Sequence, residues 1–228
     1  MDLVWIVRKG PNEELRYSIR SAIQNIEHNS VWVIGDKPDW YTGNFIPVLQ
    51  RTGQKYQNSK NNLNKLIASD EISDDFVLMN DDFFILKPSK VGYYYSGTLA
   101  ERIERNAKLS PNANYLEKIK TTKAMLEKEG IKNPLDYSLH IPIRMHKEGL
   151  KEALRFPLIR SGYGNLNKVG GEQRRDVKIY SGDLYKGLNY EPDENSDFIS
   201  TDDNSFPKVR DDLLKTMFPT PTKFERYS

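Results

Sequence analysis

Apolar and polar positions along the first third of the chain follow two alternating periods. Leu3 to Val7 is an unbroken apolar run, which predicts a strand buried on both faces, and it ends in the polar turn Arg8-Lys9-Gly10-Pro11. Asn12 then stands where a helix N-cap is expected. Leu15, Ile19, Ala22, Ile23 and Ile26 recur at helical spacing, so an amphipathic helix is predicted over 13–27. Val31 to Ile34 predicts a second strand, closed by Gly35. Phe45 to Leu49 predicts a short third strand, with Pro47 favouring a sheet edge. Residues 59–68 carry Leu63, Leu66 and Ile67 and read as a helix, and Phe76 to Met79 reads as a further strand.

Strands alternating with helices over short links predict an α/β fold with a mostly parallel central sheet flanked by helices. Ligands of such sheets sit beyond the carboxyl ends of the strands. The loop after Val7 and whatever follows Met79 are therefore marked as candidate site segments. Past residue 90 the pattern changes. Val91 to Tyr95 is aromatic and β-like. Helices are predicted over 115–129, ended by Gly130, over 147–155, ended by Pro157, and over 208–217. Residues 161–195, rich in Gly, Tyr, Asn and charge, read as loop with at most short strands. The expectation is one domain over 1–228, with 91–135 a helical insertion or lid.

Composition narrows the classes. In 228 residues, 37% are apolar and 29% charged, which is the balance of a globular chain. The net charge of +2 argues against a dedicated nucleic-acid binder yet permits a local basic pocket for phosphates. The absence of cysteine removes disulfides and thiolate metal sites and fits a cytoplasmic protein. No run approaches the ~18 apolar residues of a membrane span. The first residues form a strand-like run rather than a signal peptide.

One feature of this pattern is chemically expensive. Met79 is followed by Asn80-Asp81-Asp82 and then by Phe83-Phe84-Ile85-Leu86, so two carboxylates interrupt an apolar run. Adjacent buried carboxylates are costly unless something positive meets them. Their oxygens suit Mg²⁺ or Mn²⁺ bridging to a diphosphate. Neighbours in an extended segment point to opposite faces, which assigns Asp82 to the metal and Asp81 to support of the loop or contact with a sugar. An ordinary hairpin turn would also use these residue types.

Several segments resemble the Stealth family, hexose-1-phosphate transferases that include the lysosomal-enzyme N-acetylglucosamine-1-phosphotransferase. Residues 12–21, NEELRYSIRS, look like that family's second conserved region, and residues 33–40, VIGDKPDW, resemble the strand and turn that follow it. Residues 76–84, FVLMNDDFF, are similar to its Asn-Asp-Asp segment. His140-Ile141-Pro142 with Lys147, Leu150 and Arg160 looks like its His-x-Pro region. Residues 198–204 and 218–225 resemble its closing region. The series runs in order over nearly the whole chain. Two departures stand out: the Asp of the opening motif is missing after Val7, and Asp202-Asp203 replaces an Asn-Asp pair.

The resemblance implies a GT-A-like nucleotide-binding fold and a metal-dependent transferase with a nucleotide-sugar donor, uridine-based, acting on a saccharide or other hydroxyl acceptor. It implies Asp82 as metal ligand, Asp203 as a second carboxylate at Mg²⁺ or Mn²⁺, and His140 as the base that takes the acceptor's proton. Arg160 would hold phosphate through its planar fork. Arg8 and Lys9, after the first strand, are placed to meet the diphosphate or base. Arg16 and Arg20, four apart on one helix face, either point at the site with Glu14 beside them or form a surface ion-pair face. Asn58, Lys60 and Asn61 would cap the following helix or contact the ribose. The expected reaction moves a sugar-1-phosphate. The alternatives are transfer of the sugar alone, with release of a nucleoside diphosphate, and a non-catalytic module for glycans or single-stranded nucleic acid.

Overall fold

A computed structural model describes residues 1–108, 113–182 and 196–226. The expected loop over 161–195 therefore lies partly outside the described residues. The chain divides into two compact units: residues 1–91, 140–142 and 177–228 form the first, and residues 92–139 and 143–176 form the second.

The first unit begins with β1 (Asp2–Val7), α1 (Glu13–Asn25), β2 (Val31–Gly35), β3 (Asn44–Pro47), α2 (Lys55–Ile67), β4 (Asp75–Met79) and β5 (Phe83–Ile85). Four of these strands lie in the order β3-β2-β1-β4, all parallel, with Trp5 opposite Val33 on one side and Met79 on the other. The continuous apolar runs of β1, β2 and β4 are explained by burial on both faces. Asp2, also buried, is satisfied by the Ser30 and Ser73 amides at 3.2 and 2.8 Å. At the end of β2, Gly35 has φ 120° and passes so close to β1 that an added Cβ would lie 2.2 Å from the Val7 carbonyl oxygen. Only glycine fits there.

The second unit holds β6 (Tyr94–Tyr95), α3 (Leu99–Lys108), α4 (Ala113–Lys128), β7 (Ile143–His146), α5 (Lys147–Ala153), α6 (Ile159–Leu166) and β8 (Glu172–Gln173). Its core gathers Leu99, Ile119, Leu126, Phe156 and Leu158, and β6 pairs with β8 in parallel. Residues 161–166 were expected as loop but lie in α6. Gly162 and Gly164 let that helix pack closely against Phe156 and Tyr137, so the glycines that suggested a loop are packing residues. His146 caps α5 by accepting from the Gly149 amide.

The chain returns to the first unit with β9 (Lys178–Ile179) and β10 (Phe198–Thr201), which join β5 in a small sheet of order β5-β10-β9. A helix of Phe206–Val209, a π-turn of Arg210–Leu214 and a last turn of Lys215–Met217 follow. They close a second core of Tyr17, Phe84, Ile199, Phe206, Val209 and Phe218. Among the described residues no helix is long and apolar enough to cross a membrane.

Candidate functional site

Two loops marked by the strand pattern meet at one cavity. Val7, Arg8 and Lys9 leave β1, Asn80, Asp81 and Asp82 leave β4, and all six line a cavity of about 630 Å³ in the first unit, a volume suited to a small organic ligand. The remaining wall comes from Glu14 of α1, residues 50–53, Lys55, Asn58, Ser59 and Asn62 on and before α2, and His140, Lys178 and Asp203.

The turn that carries the acids is built by α1. Trp5 Nε1 donates to Ser18 Oγ at 2.9 Å, and that hydroxyl donates to the Phe83 carbonyl at 2.6 Å. Ser21 Oγ accepts from the Ile85 amide at 3.1 Å, and Asn25 donates to the Ile85 carbonyl at 2.8 Å. Buried serine and asparagine side chains thus satisfy the backbone of β5 and fix the turn before it. On the other loop, Asn12 does not cap α1 as expected. It adopts the left-handed conformation (φ 45°) and its amide donates to the Arg8 carbonyl at 2.6 Å, tying down the segment after β1.

Asp81 and Asp82 do not point to opposite faces. They sit on a tight turn rather than an extended segment, and both face the cavity. Their partners differ. Asp82 accepts from Lys178 Nζ at 2.8 Å and Ser200 Oγ at 3.1 Å. Asp81 meets a cation less closely, with Arg8 at 3.8 Å. Burial, together with the charge of Asp82, pushes the Asp81 carboxyl up to about 7, an effect Arg8 only partly offsets. Burial also raises Glu14, which feels Asp203 and Asp82. Arg8 grips Asp203 with two hydrogen bonds, of 3.2 and 2.6 Å. That fork holds the Asp203 carboxyl below the usual carboxylate range and raises Arg8.

Of the residues singled out in the sequence, Arg8, Lys9, Glu14, Asn58, Asp81, Asp82, His140 and Asp203 share this cavity. Asp203 faces it as the partner of Arg8. Asn58 lies within α2 rather than before it and clasps the Arg51 backbone through its side chain, at 2.9 and 2.8 Å. Lys60, Arg16 and Arg160 are placed elsewhere, as are Asn61 and Arg20. Lys60 lies on the exposed face of α2. Arg16 turns away, with Nη1 2.6 Å from Glu225 and its guanidinium 4.4 Å over the Trp40 ring. Arg160 belongs to the second unit, where it donates to the Leu139 carbonyl at 2.7 Å. Arg51, Lys55 and Lys178 line the cavity without having been singled out. The polar run before α2 offered a cue for Arg51 and Lys55. Nothing local to Lys178 did.

No family model matches this chain, and no curated protein does. Solved structures do. The chain superposes on the galactosyltransferase LgtC, crystallised with donor and acceptor sugar analogues, with a TM-score of 0.52 at 10% identity, over 98% of this chain and 97% of LgtC. An active-site mutant of LgtC gives 0.48 at 9% identity, over 98% of each chain. The apo-form glycosyltransferase GlyE of Streptococcus pneumoniae TIGR4 gives 0.35 at 12%, over 87% of this chain and 53% of GlyE. The fold is thus that of the GT-A-like α/β proteins, with a mostly parallel central sheet flanked by helices.

Proposed function

We propose that this chain is an enzyme that transfers a sugar from a nucleotide-sugar donor to an acceptor hydroxyl. One observation carries the reading: a cavity at the carboxyl ends of β1 and β4 is lined by five cations, Arg8, Lys9, Arg51, Lys55 and Lys178, beside four carboxylates and the imidazole of His140. The cations suit a diphosphate, and the acids and imidazole suit proton transfer and sugar hydroxyls. The fold shared with LgtC, whose crystals held donor and acceptor sugar analogues, supports the same reading. The acceptor oxygen bonds to the sugar carbon, and the bond from that carbon to the diphosphate breaks. The electron pair leaves with the nucleoside diphosphate, whose charge the cations meet, and the hydroxyl proton passes to His140.

A second reading is favoured by the ordered Stealth-like segments, among them 76–84, which carries the acid turn into this cavity. The acceptor then attacks the phosphorus next to the sugar. The bond between the two phosphates breaks, and a nucleoside monophosphate leaves. Incubation with a panel of nucleotide-sugars, uridine-based donors first, separates the two by the nucleotide released. Release of neither nucleotide from any donor, with or without acceptor, would sink both.

The donor set also fits Mg²⁺ or Mn²⁺. Among the described residues no three carboxylate or imidazole groups form a ready cage. Magnesium commonly needs only one or two carboxylates, with substrate phosphates and waters completing its shell. Asp82 and Asp203 each accept a hydrogen bond from a cation, whereas Asp81 meets Arg8 only at 3.8 Å and burial raises both Asp81 and Glu14. Asp81, with Glu14, would therefore hold the metal, which when bound supplies neutralisation of charge on the departing phosphate.

A further inference from the structure

Lys178 differs from the other cations of the cavity. Arg8, Lys9, Arg51 and Lys55 are exposed, whereas the Lys178 side chain is only 14% exposed. It is also fixed by the sheet. Lys178 on β9 stands in register with Ser200 on β10, and Ser200 in turn with Phe83 on β5, the residue after Asp82. This row brings the Lys178 ammonium and the Ser200 hydroxyl to the same oxygen of Asp82, at 2.8 and 3.1 Å. An ammonium has three N–H groups, and Asp82 takes one. Lys178 lines the cavity, so its remaining N–H groups are available to a ligand there. A cation held in one place by a clamped carboxylate loses little freedom when it grips an anion, unlike a long surface side chain. With its Oδ2 engaged by both donors, Asp82 is less open to a metal than Asp81, which meets Arg8 only at 3.8 Å.

Resting on the nucleotide-sugar reading above, we propose that Lys178 grips the sugar-side phosphate of the donor, and that Asp82 with Ser200 is the pair that positions it rather than a ligand of the metal.

Calorimetric titration with UDP and with uridine, each with and without Mn²⁺, tests this. The unaltered protein binds UDP, and Mn²⁺ tightens that binding. Lys178→Met weakens UDP at least tenfold and leaves uridine within about twofold, since only the phosphates are addressed. Because that change strands Asp82, the Lys178→Met/Asp82→Asn double variant removes both charges and shows the same loss in a folded protein. Asp82→Asn alone weakens UDP several-fold but keeps the tightening by Mn²⁺, which Asp81→Asn abolishes. Equal UDP affinity in the folded double variant, or loss of the Mn²⁺ effect in Asp82→Asn, overturns the proposal. Failure of the unaltered protein to bind UDP or any other nucleoside diphosphate strikes the nucleotide reading itself.

Discussion

Two arginine–carboxylate assemblies tie distant parts of the first unit together, and they use the same chemistry to opposite ends. In one, Arg8 forks onto Asp203, with side chains 51% and 70% exposed at the rim of the cavity. In the other, Arg16 and Arg20 of α1 converge on Glu225, whose side chain is 1% exposed. Glu225 accepts from Arg20 at 2.8 and 2.7 Å, from Arg16 at 2.6 Å and from the Thr222 amide at 2.9 Å. Water and ligand can compete for the exposed fork, so it is exchangeable. The buried cluster cannot be replaced without leaving a charge stranded in the interior. Burial, rather than the identity of the pair, separates an exchangeable contact at the cavity rim from a fastening of the fold.

The comparison is broken most directly at Glu225. Glu225→Ala leaves Arg20 buried without its partner and should cost about 3–5 kcal/mol, read as a shift of the denaturation midpoint. Burial pushes the Glu225 carboxyl up, but the hydrogen bonds from Arg20, Thr222 and Arg16 outweigh it and leave it below the ordinary value. The cluster's contribution is therefore full above the unfolded pKa and is lost as pH falls through the folded one. A variant as stable as the parent at pH 7 would mean that the cluster fastens nothing.

Asp81 shows the reverse pH behaviour. Its folded pKa of about 7 lies above the ordinary value of 3.8, so the folded state binds the proton more tightly and loses stability as pH rises between the two. Asp81→Asn should match the parent at pH 4 and gain up to roughly 4 kcal/mol by pH 8, while turnover falls. A gain that does not depend on pH would contradict a raised Asp81 carboxyl. Smaller again is Ser18→Ala, which removes the hydroxyl between Trp5 and Phe83 and should cost about 1–3 kcal/mol, measured by chemical denaturation. Smallest for stability is Asp203→Asn, expected within about 1 kcal/mol of the parent, yet tightening UDP by freeing Arg8. A large loss of stability there would erase the contrast between the two assemblies.

The parallel sheet was legible in the sequence because strands buried on both faces leave continuous apolar runs, as Leu3–Val7, Val31–Ile34 and Phe76–Met79 do. Both cavity-lining loops followed from the ends of those runs. The small sheet was not legible. β9 has two residues in a polar stretch, and the meeting of Lys178, Ser200 and Asp82 depends on register across a long separation. Strand alternation set Asp81 and Asp82 on opposite faces, a rule that does not apply where the chain turns at residues 81–82. Arg16 was expected to face either the site or a surface acid. It pairs with Glu13 at 3.2 Å, as helical spacing allows, and also with Glu225, 209 residues away and beyond the reach of that spacing.

The central claim is that this cavity receives the diphosphate of a nucleotide-sugar. A crystal structure of the protein with UDP and Mn²⁺ tests it most directly. The account places the diphosphate against Lys178 and Arg8, with the anomalous signal of manganese at Asp81. Manganese bound between Asp82 and Asp203, or UDP seated outside the cavity, would contradict it.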